Sequence, residues 1–229
     1  MISIETSEDG SCFDVIISDR TTQKNRTLSN IILPMHGAHN VQNALSVIAI
    51  ANEMGIADSI LKKALGGFEG VKRRFTKTGE VNGISIIDDY AHHPVEIAAV
   101  ISAARAAAPN GRIISVVQPH RYSRLRDLFN DFCTCFNDAD VVIVAEVYSA
   151  GEEVIEGINQ ETLVEGLRSH GHRHVESLRS EEVLAQLIDN ISFPGDMVVC
   201  LGAGSITNWA NALPEELATL KSPSNQVCR

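Results

Sequence analysis

The spacing of hydrophobic positions changes along the chain. Over residues 1–35 it runs in short alternating stretches, at 3–6, 13–18 and 28–33, separated by turn-forming residues at 8–10 and 21–25. Such alternation predicts β-strands. These strands show no obvious core of their own and read as the tail of a larger sheet. From His39 the spacing becomes helical, with Val41, Ala44, Leu45, Ile48 and Ala51 recurring on one face. This predicts a helix over 39–54 stopped by Gly55, and a second over 58–65 ended by Gly66-Gly67. From Ile84 the pattern is regular. Apolar runs at 84–88, 112–118, 141–145, 175–178 and 196–201 alternate with helical patterns at 94–108, 123–137, 160–170, 180–190 and 205–220. This order predicts an α/β fold, an open and mainly parallel sheet with helices on both faces. Residues 221–229 read as a frayed tail.

In such sheets the ligand crevice lies beyond the carboxyl ends of the strands. Two polar bursts fall there, Asp88-Asp89-Tyr90-Ala91-His92-His93 and Gln118-Pro119-His120-Arg121-Tyr122. Pro94 then opens a helix, where its missing N–H costs nothing. Arg121 and Arg124, three apart at a helix start, suit either solvation or a forked grip on a carboxylate. His92 and His93 are adjacent, so their side chains diverge, and no further ligand stands at metal-site spacing. They read as hydrogen-bonded loop residues or as part of a substrate site facing the His120 cluster. The glycines at 202 and 204 fit a simple bend as well as a nucleotide turn.

Three residues of the first half suggest chemistry. His39, Asn40 and Asn43 crowd the first turn of the helix from 39, where asparagine serves either as a cap or as a partner for an adenine edge. The connector GVKRRF, residues 70–75, marks a domain boundary, with residues 1–70 before it and 71–229 after it. Its basic triplet is either a solvated linker or a phosphate clamp.

Composition narrows the partners. A formal net charge of -10 over 229 residues argues against nucleic acid and anionic membranes. Basic residues still cluster at 72–77 and 120–126, which fits a small anionic substrate. Five scattered cysteines read as reduced thiols. No apolar run has membrane-spanning length, and the acidic start has no signal-peptide layout, which points to a cytoplasmic protein.

Six segments in series, GAHNVQNALSVIAIANEMGI, GVKRRF, DDYAHHPVEI, QPHRYSRLRDL, EVYSAGEE and GAGSIT, resemble the Mur ligases of bacterial peptidoglycan synthesis. The DDYAHHP and QPHRYSRLRDL versions favour the L-alanine-adding branch over the murein tripeptide recycling branch. The resemblance implies an ATP-dependent ligase that activates the carboxylate of UDP-N-acetylmuramate as an acyl phosphate and joins it to L-alanine. It implies that residues 1–70 are a remnant of the central ATPase domain and 71–229 a Rossmann-like C-terminal domain. Carried over position by position, His39, Asn40, Asn43, Arg74 and Asp89 match the ATP side. Tyr90, His92, His120, Arg121 and Arg124 match positions around the incoming amino acid. The 229 residues contain no G-x-x-x-x-G-K-[ST] phosphate loop. The Mg²⁺ ligands and the UDP-sugar domain are therefore expected upstream, and this chain alone is expected to be inactive. The alternatives are a stand-alone nucleotide- or amino-acid-binding module and the complementing half of a split ligase.

Overall fold

The computed structural model describes residues 4–7, 10–18, 23–68 and 71–221. Part of each turn expected at 8–10 and 21–25, Gly70 of the connector, and the tail from 222 onward lie outside the described residues. The backbone divides into two compact units, Met1–Lys72 and Arg73–Arg229.

In the first unit, β1 (Ile4–Ser7), β2 (Gly10–Ser18) and β3 (Asn25–Leu33) form an antiparallel sheet in that order. Two helices follow, α1 (Ala38–Glu53) and α2 (Asp58–Gly66). The expectation that these strands lack a core is corrected. Phe13, Val15, Leu28, Ile31 and Leu33 close on Val41, Ala44 and Ile48 of α1 and on Leu61 and Leu65 of α2. The period-two face of the sheet meets the helical stripe that follows it in sequence, so the core is completed within the unit.

The second unit holds a six-stranded sheet of β4 (Thr76–Val81), β5 (Ile84–Asp89), β6 (Ile113–Val117), β7 (Val141–Val144), β8 (Val175–Ser177) and β9 (Met197–Leu201). Their order is β4-β5-β9-β6-β7-β8. β4 is antiparallel to β5, and the remaining pairings are parallel. The central strands are apolar on both faces, as expected where helices cover both sides. Ile113 and Val117 of β6 join one layer, with α3 (Pro94–Ala107) and α6 (Gln160–Ser169). Ile114 and Val116 join the other, with α7 (Leu184–Ile191) and α8 (Ile206–Lys221). Each such fully buried side chain contributes roughly 1.5–3 kcal/mol.

Two elements differ from the sequence reading. The helix expected over 123–137 is two short pieces, α4 (Tyr122–Asp127) and α5 (Phe129–Phe132). Leu128 between them leaves helical geometry, at φ -116° and ψ 23°. The break lets Leu125, Phe132 and Phe136 all reach the core. The edge strand β4 was not expected, because TKTGEV carries little apolar signal. Its turn was readable: Asn82 and Gly83 both have positive φ, 54° and 77°, the Asn-Gly signature of a tight hairpin.

β5 connects through α3 to β6, passing over the place that β9 later fills. The chain thus changes direction around β9, and the ends of β5, β9 and β6 lie side by side. Among the described residues no helix is long and apolar enough to cross a membrane.

Candidate functional site

Four segments converge at the carboxyl edge of this sheet: the entry at 73–75, the end of β5, the end of β6, and the loop after β7. The first two are tied together through the paired aspartates. Asp89 is 1% exposed. Its Oδ1 accepts from the Ala91 N–H at 2.8 Å and its Oδ2 from the Phe75 N–H at 2.7 Å. Burial pushes this carboxyl up to about 6, against the pull of those two N–H groups and of the Arg74 cation. Asp89 therefore ties the backbone just after Arg74 to the turn that follows β5, and both its oxygens are engaged.

Asp88 is equally buried. Its Oδ2 accepts from Thr207 Oγ1 at 2.5 Å and lies 3.8 Å from Arg73 Nε. Arg73 also donates Nη2 to the Gly202 carbonyl at 2.6 Å and stacks its guanidinium 4.7 Å above the Tyr90 ring. Within the basic triplet, then, Arg73 is structural and Arg74 is the half-exposed cation beside Asp89.

From Tyr90 a ladder of rings crosses the crevice. Tyr90 meets His92 edge-on at 5.1 Å, His92 meets His120 edge-on at 5.7 Å, and His120 stacks on Tyr148 at 5.4 Å. The structure thus brings together Tyr90, His92 and His120 from two strand ends, and adds Tyr148 from a third. His93 instead caps α3: its ring accepts from the Val95 N–H, and Glu96 accepts from the His93 N–H.

The two arginines part company. Arg124, on α4, donates Nη1 to the His120 carbonyl at 2.9 Å, with His120 Nδ1 at 3.2 Å. Arg121 precedes the helix in a left-handed conformation, φ 74°, with its N–H on the Tyr148 carbonyl at 2.8 Å. Its Nη1 reaches toward Glu152 Oε1 at 3.7 Å. The expected shared helical face is therefore corrected, because Arg121 stands outside α4 with a positive φ while Arg124 lies within it. Burial, and after it the charges of His92, Arg124 and Arg121, hold the His120 imidazole below its ordinary range, with Glu152 opposing.

Gln118, buried at the end of β6, holds the start of α8: its Oε1 accepts from the Ile206 N–H at 3.2 Å and its Nε2 donates to Ser205 Oγ at 3.1 Å. A Cβ on Gly204 would stand 2.4 Å from Gln118 Oε1 and 2.6 Å from Tyr148 Cγ. Close approach thus accounts for that glycine without a phosphate. A cleft of 530 Å³ is lined by Gln118, Tyr148 and Ser205 together with Arg179, Ser180 and Trp209 among others, whereas Tyr90, His92, His120, Arg121 and Arg124 do not line it.

In the first unit, Asn40 is buried and donates Nδ2 to the His36 carbonyl at 2.8 Å, whereas Asn43 is exposed and His39 half-buried. The three do not present one common polar face. Among the described residues no group of three or more His, Cys, Asp or Glu is arranged to hold a metal ion. Both oxygens of Asp89 are engaged by protein donors, whereas Asp88 Oδ1 is buried without a hydrogen-bond partner.

Sequence reasoning held Arg73 only as part of the basic triplet, and did not single out Tyr148 or Glu152. The signal for the last two was the EVYSAGEE segment, whose place in the site depends on how β7 lines up with β6.

The family profile described as "Mur ligase, glutamate ligase domain" matches residues 73–204. A UDP-N-acetylmuramate–L-alanine ligase of Paramagnetospirillum magneticum is 60% identical over 215 residues, 94% of this chain and 45% of that protein. One of Rhodospirillum centenum is 59% identical over 219 residues, 96% of this chain and 45% of that protein. The crystal structure of the UDP-N-acetylmuramate-alanine ligase of Thermotoga maritima superposes with a TM-score of 0.73 at 26% identity, covering 96% of this chain and 45% of that one. The chain thus spans somewhat under half the length of these relatives. With the strand-end site and a family match over more than half its residues, the chain belongs to the Mur ligase family.

Proposed function

We propose that the chain is the amino-acid-receiving part of an ATP-dependent ligase that joins L-alanine to UDP-N-acetylmuramate in bacterial cell-wall precursor synthesis, in the cytoplasm. The observation that carries this reading is the convergence of Tyr90, His92, His120, Arg121 and Arg124 at one sheet edge. The relatives named above, at about 60% identity, support the choice of substrates.

On this reading residues 1–70 are the end of the central ATP-binding domain and 71–229 the C-terminal domain. The arginine donors suit the carboxylate of the amino acid, since guanidinium groups bind carboxylates by charge-assisted hydrogen bonds. In the second unit Arg74, held in place by the Asp89 clamp, is read as a cation on the ATP side; in the first unit Asn43 and His39 are read as nucleotide contacts. Asn40 supports that turn from inside. ATP supplies the phosphoryl group that activates the muramyl carboxylate, and Mg²⁺ is bound by residues outside these 229. The side chains present here bind the acceptor, orient it and shield it from water.

The test is calorimetry of the 229-residue chain with L-alanine and, separately, L-leucine. Heat with L-alanine alone supports the reading, and equal or absent heat with both removes it.

A second reading, the complementing half of a split ligase, is favoured by an apolar groove of 620 Å³ in the first unit. It is lined by Ile16, Leu45, Ile50 and Met54 among others, of which Ile16, Ile50 and Met54 are exposed. Contiguous exposed apolar surface marks a contact site. Light scattering that shows a monodisperse monomer at high concentration counts against that reading.

A further inference from the structure

We propose that Glu152 is a positioning residue of the amino-acid half-site, holding the Arg121 guanidinium in its carboxylate-gripping place while it pins the first turn of α4. The proposal rests on the reading of Arg121 as a carboxylate holder.

Glu152 is the residue at which three features of the site meet. Its Oε2 accepts from the Ser123 N–H at 3.0 Å and its Oε1 from Ser123 Oγ at 2.6 Å. The same Oε1 stands 3.7 Å from Arg121 Nη1. The carboxylate thus supplies the acceptor that the start of α4 lacks, since Arg121 makes no side-chain cap. The hydrogen bonds from Ser123 also hold Glu152 well below the ordinary carboxylate range, so it is charged at neutral pH.

An exposed ion pair ordinarily contributes little, because two long side chains must be ordered to make it. Here half of that cost is already met. Glu152 is fixed by two hydrogen bonds from Ser123 whether or not Arg121 is present. The backbone of Arg121 is fixed as well: its N–H donates to the Tyr148 carbonyl at 2.8 Å, and the Tyr148 N–H donates to the Pro119 carbonyl at 2.8 Å. One loop, residues 145–152, therefore holds Arg121 by main chain and by side chain. It also stacks Tyr148 on His120. Only the Arg121 guanidinium retains freedom, and a fixed negative charge beside it restricts that freedom at little further cost.

The experiment uses the ¹⁵N-labelled 229-residue chain as wild type, Glu152→Gln and Glu152→Ala. Glutamine can still accept from Ser123 but carries no charge, whereas alanine removes both functions. The readouts are the Arg121 Nε–Hε signal, the Ser123 amide signal and the dissociation constant for L-alanine. In Glu152→Gln the Ser123 amide is expected to stay in place. The Arg121 signal moves to the position of a free arginine, and L-alanine binds about fivefold more weakly, on the order of one charge-assisted contact. An Arg121 signal and an L-alanine affinity unchanged in Glu152→Gln overturn the proposal, even if Glu152→Ala disturbs α4, because Glu152 is then only a helix cap. If the wild type does not bind L-alanine, the reading of the half-site fails. The Arg121 signal still decides whether Glu152 holds Arg121.

Discussion

Arg124 fixes the tautomer of His120. The guanidinium has no acceptor, so where Arg124 Nη1 lies 3.2 Å from His120 Nδ1 the ring nitrogen must accept, and the neutral ring then carries its proton on Nε2. His120 Nε2 is therefore a donor, and Tyr148 lies flat against the face of the ring.

It follows that Arg124→Leu frees Nδ1 and removes a cation that helps hold the His120 imidazole down. The expected outcome is a rise in the His120 titration midpoint, followed by NMR of the ring protons. The same variant is expected to weaken L-alanine binding by about tenfold or more, the scale of one hydrogen bond to a charged group. A midpoint that stays or falls contradicts the assignment.

Asp89 makes the second unit pH-sensitive in an unusual direction. Its carboxyl is pushed up to about 6 in the fold from an ordinary 3.8, chiefly by burial. Between those values the folded state binds the extra proton, so the contribution is fully present below 3.8 and is lost as pH rises through about 6. Asp89→Asn abolishes that titration. The stability of wild type relative to the variant, from urea unfolding, is expected to fall on the order of 2–3 kcal/mol between pH 4 and 7. A difference independent of pH rules this out.

Asp196 works the other way, at the opposite end of the strands. It is 4% exposed, and accepts from Arg112 Nη2 at 2.6 Å, the Arg112 N–H at 3.1 Å and the Phe193 N–H at 2.9 Å. Burial alone would raise its carboxyl, but the Arg112 and Phe193 hydrogen bonds outweigh it and hold the group below its ordinary 3.8. Its stabilisation is present above 3.8 and disappears as pH falls through the lower folded value. Arg112→Met removes the charged partner, leaves this carboxylate with the two backbone N–H donors, and is expected to cost about 1.5–3 kcal/mol at pH 7. Thermal unfolding should show the deficit shrinking in acid, and a deficit that grows in acid contradicts the assignment.

The parts of this fold legible in sequence were those whose burial is two-sided. IISVV, VVIV and MVVCL are buried throughout and flanked by helical periods, so their order alone predicted the parallel sheet. β4 was hidden because an edge strand with one solvated face needs few apolar residues, and only its Asn-Gly turn announced it. The first unit looked coreless because its strands were read apart from α1 and α2, whose stripe completes them. In the site, residues on the two polar bursts were legible because the βαβ rule fixes which strand ends share an edge. Glu152 and Tyr148 were not, since their reach to Arg121 and His120 depends on register between β6 and β7. Nor could spacing tell that Asn40 points inward while Asn43 is exposed, because that depends on how α1 rolls onto its sheet.

The chain alone is expected to release no phosphate from ATP in the presence of UDP-N-acetylmuramate and L-alanine. No G-x-x-x-x-G-K-[ST] loop occurs among its 229 residues to cradle the β- and γ-phosphates. A coupled phosphate assay checks this, and release dependent on both substrates refutes it.

The most direct test of the account is a titration of the ¹⁵N-labelled chain with L-alanine, followed by chemical-shift mapping. The account predicts saturable shifts confined to the ends of β5 and β6 and the loop after β7, around Tyr90, His92, His120, Arg121 and Arg124, with D-alanine ineffective. No shift at those positions, or shifts centred on the cleft at Arg179 and Ser180, would contradict it.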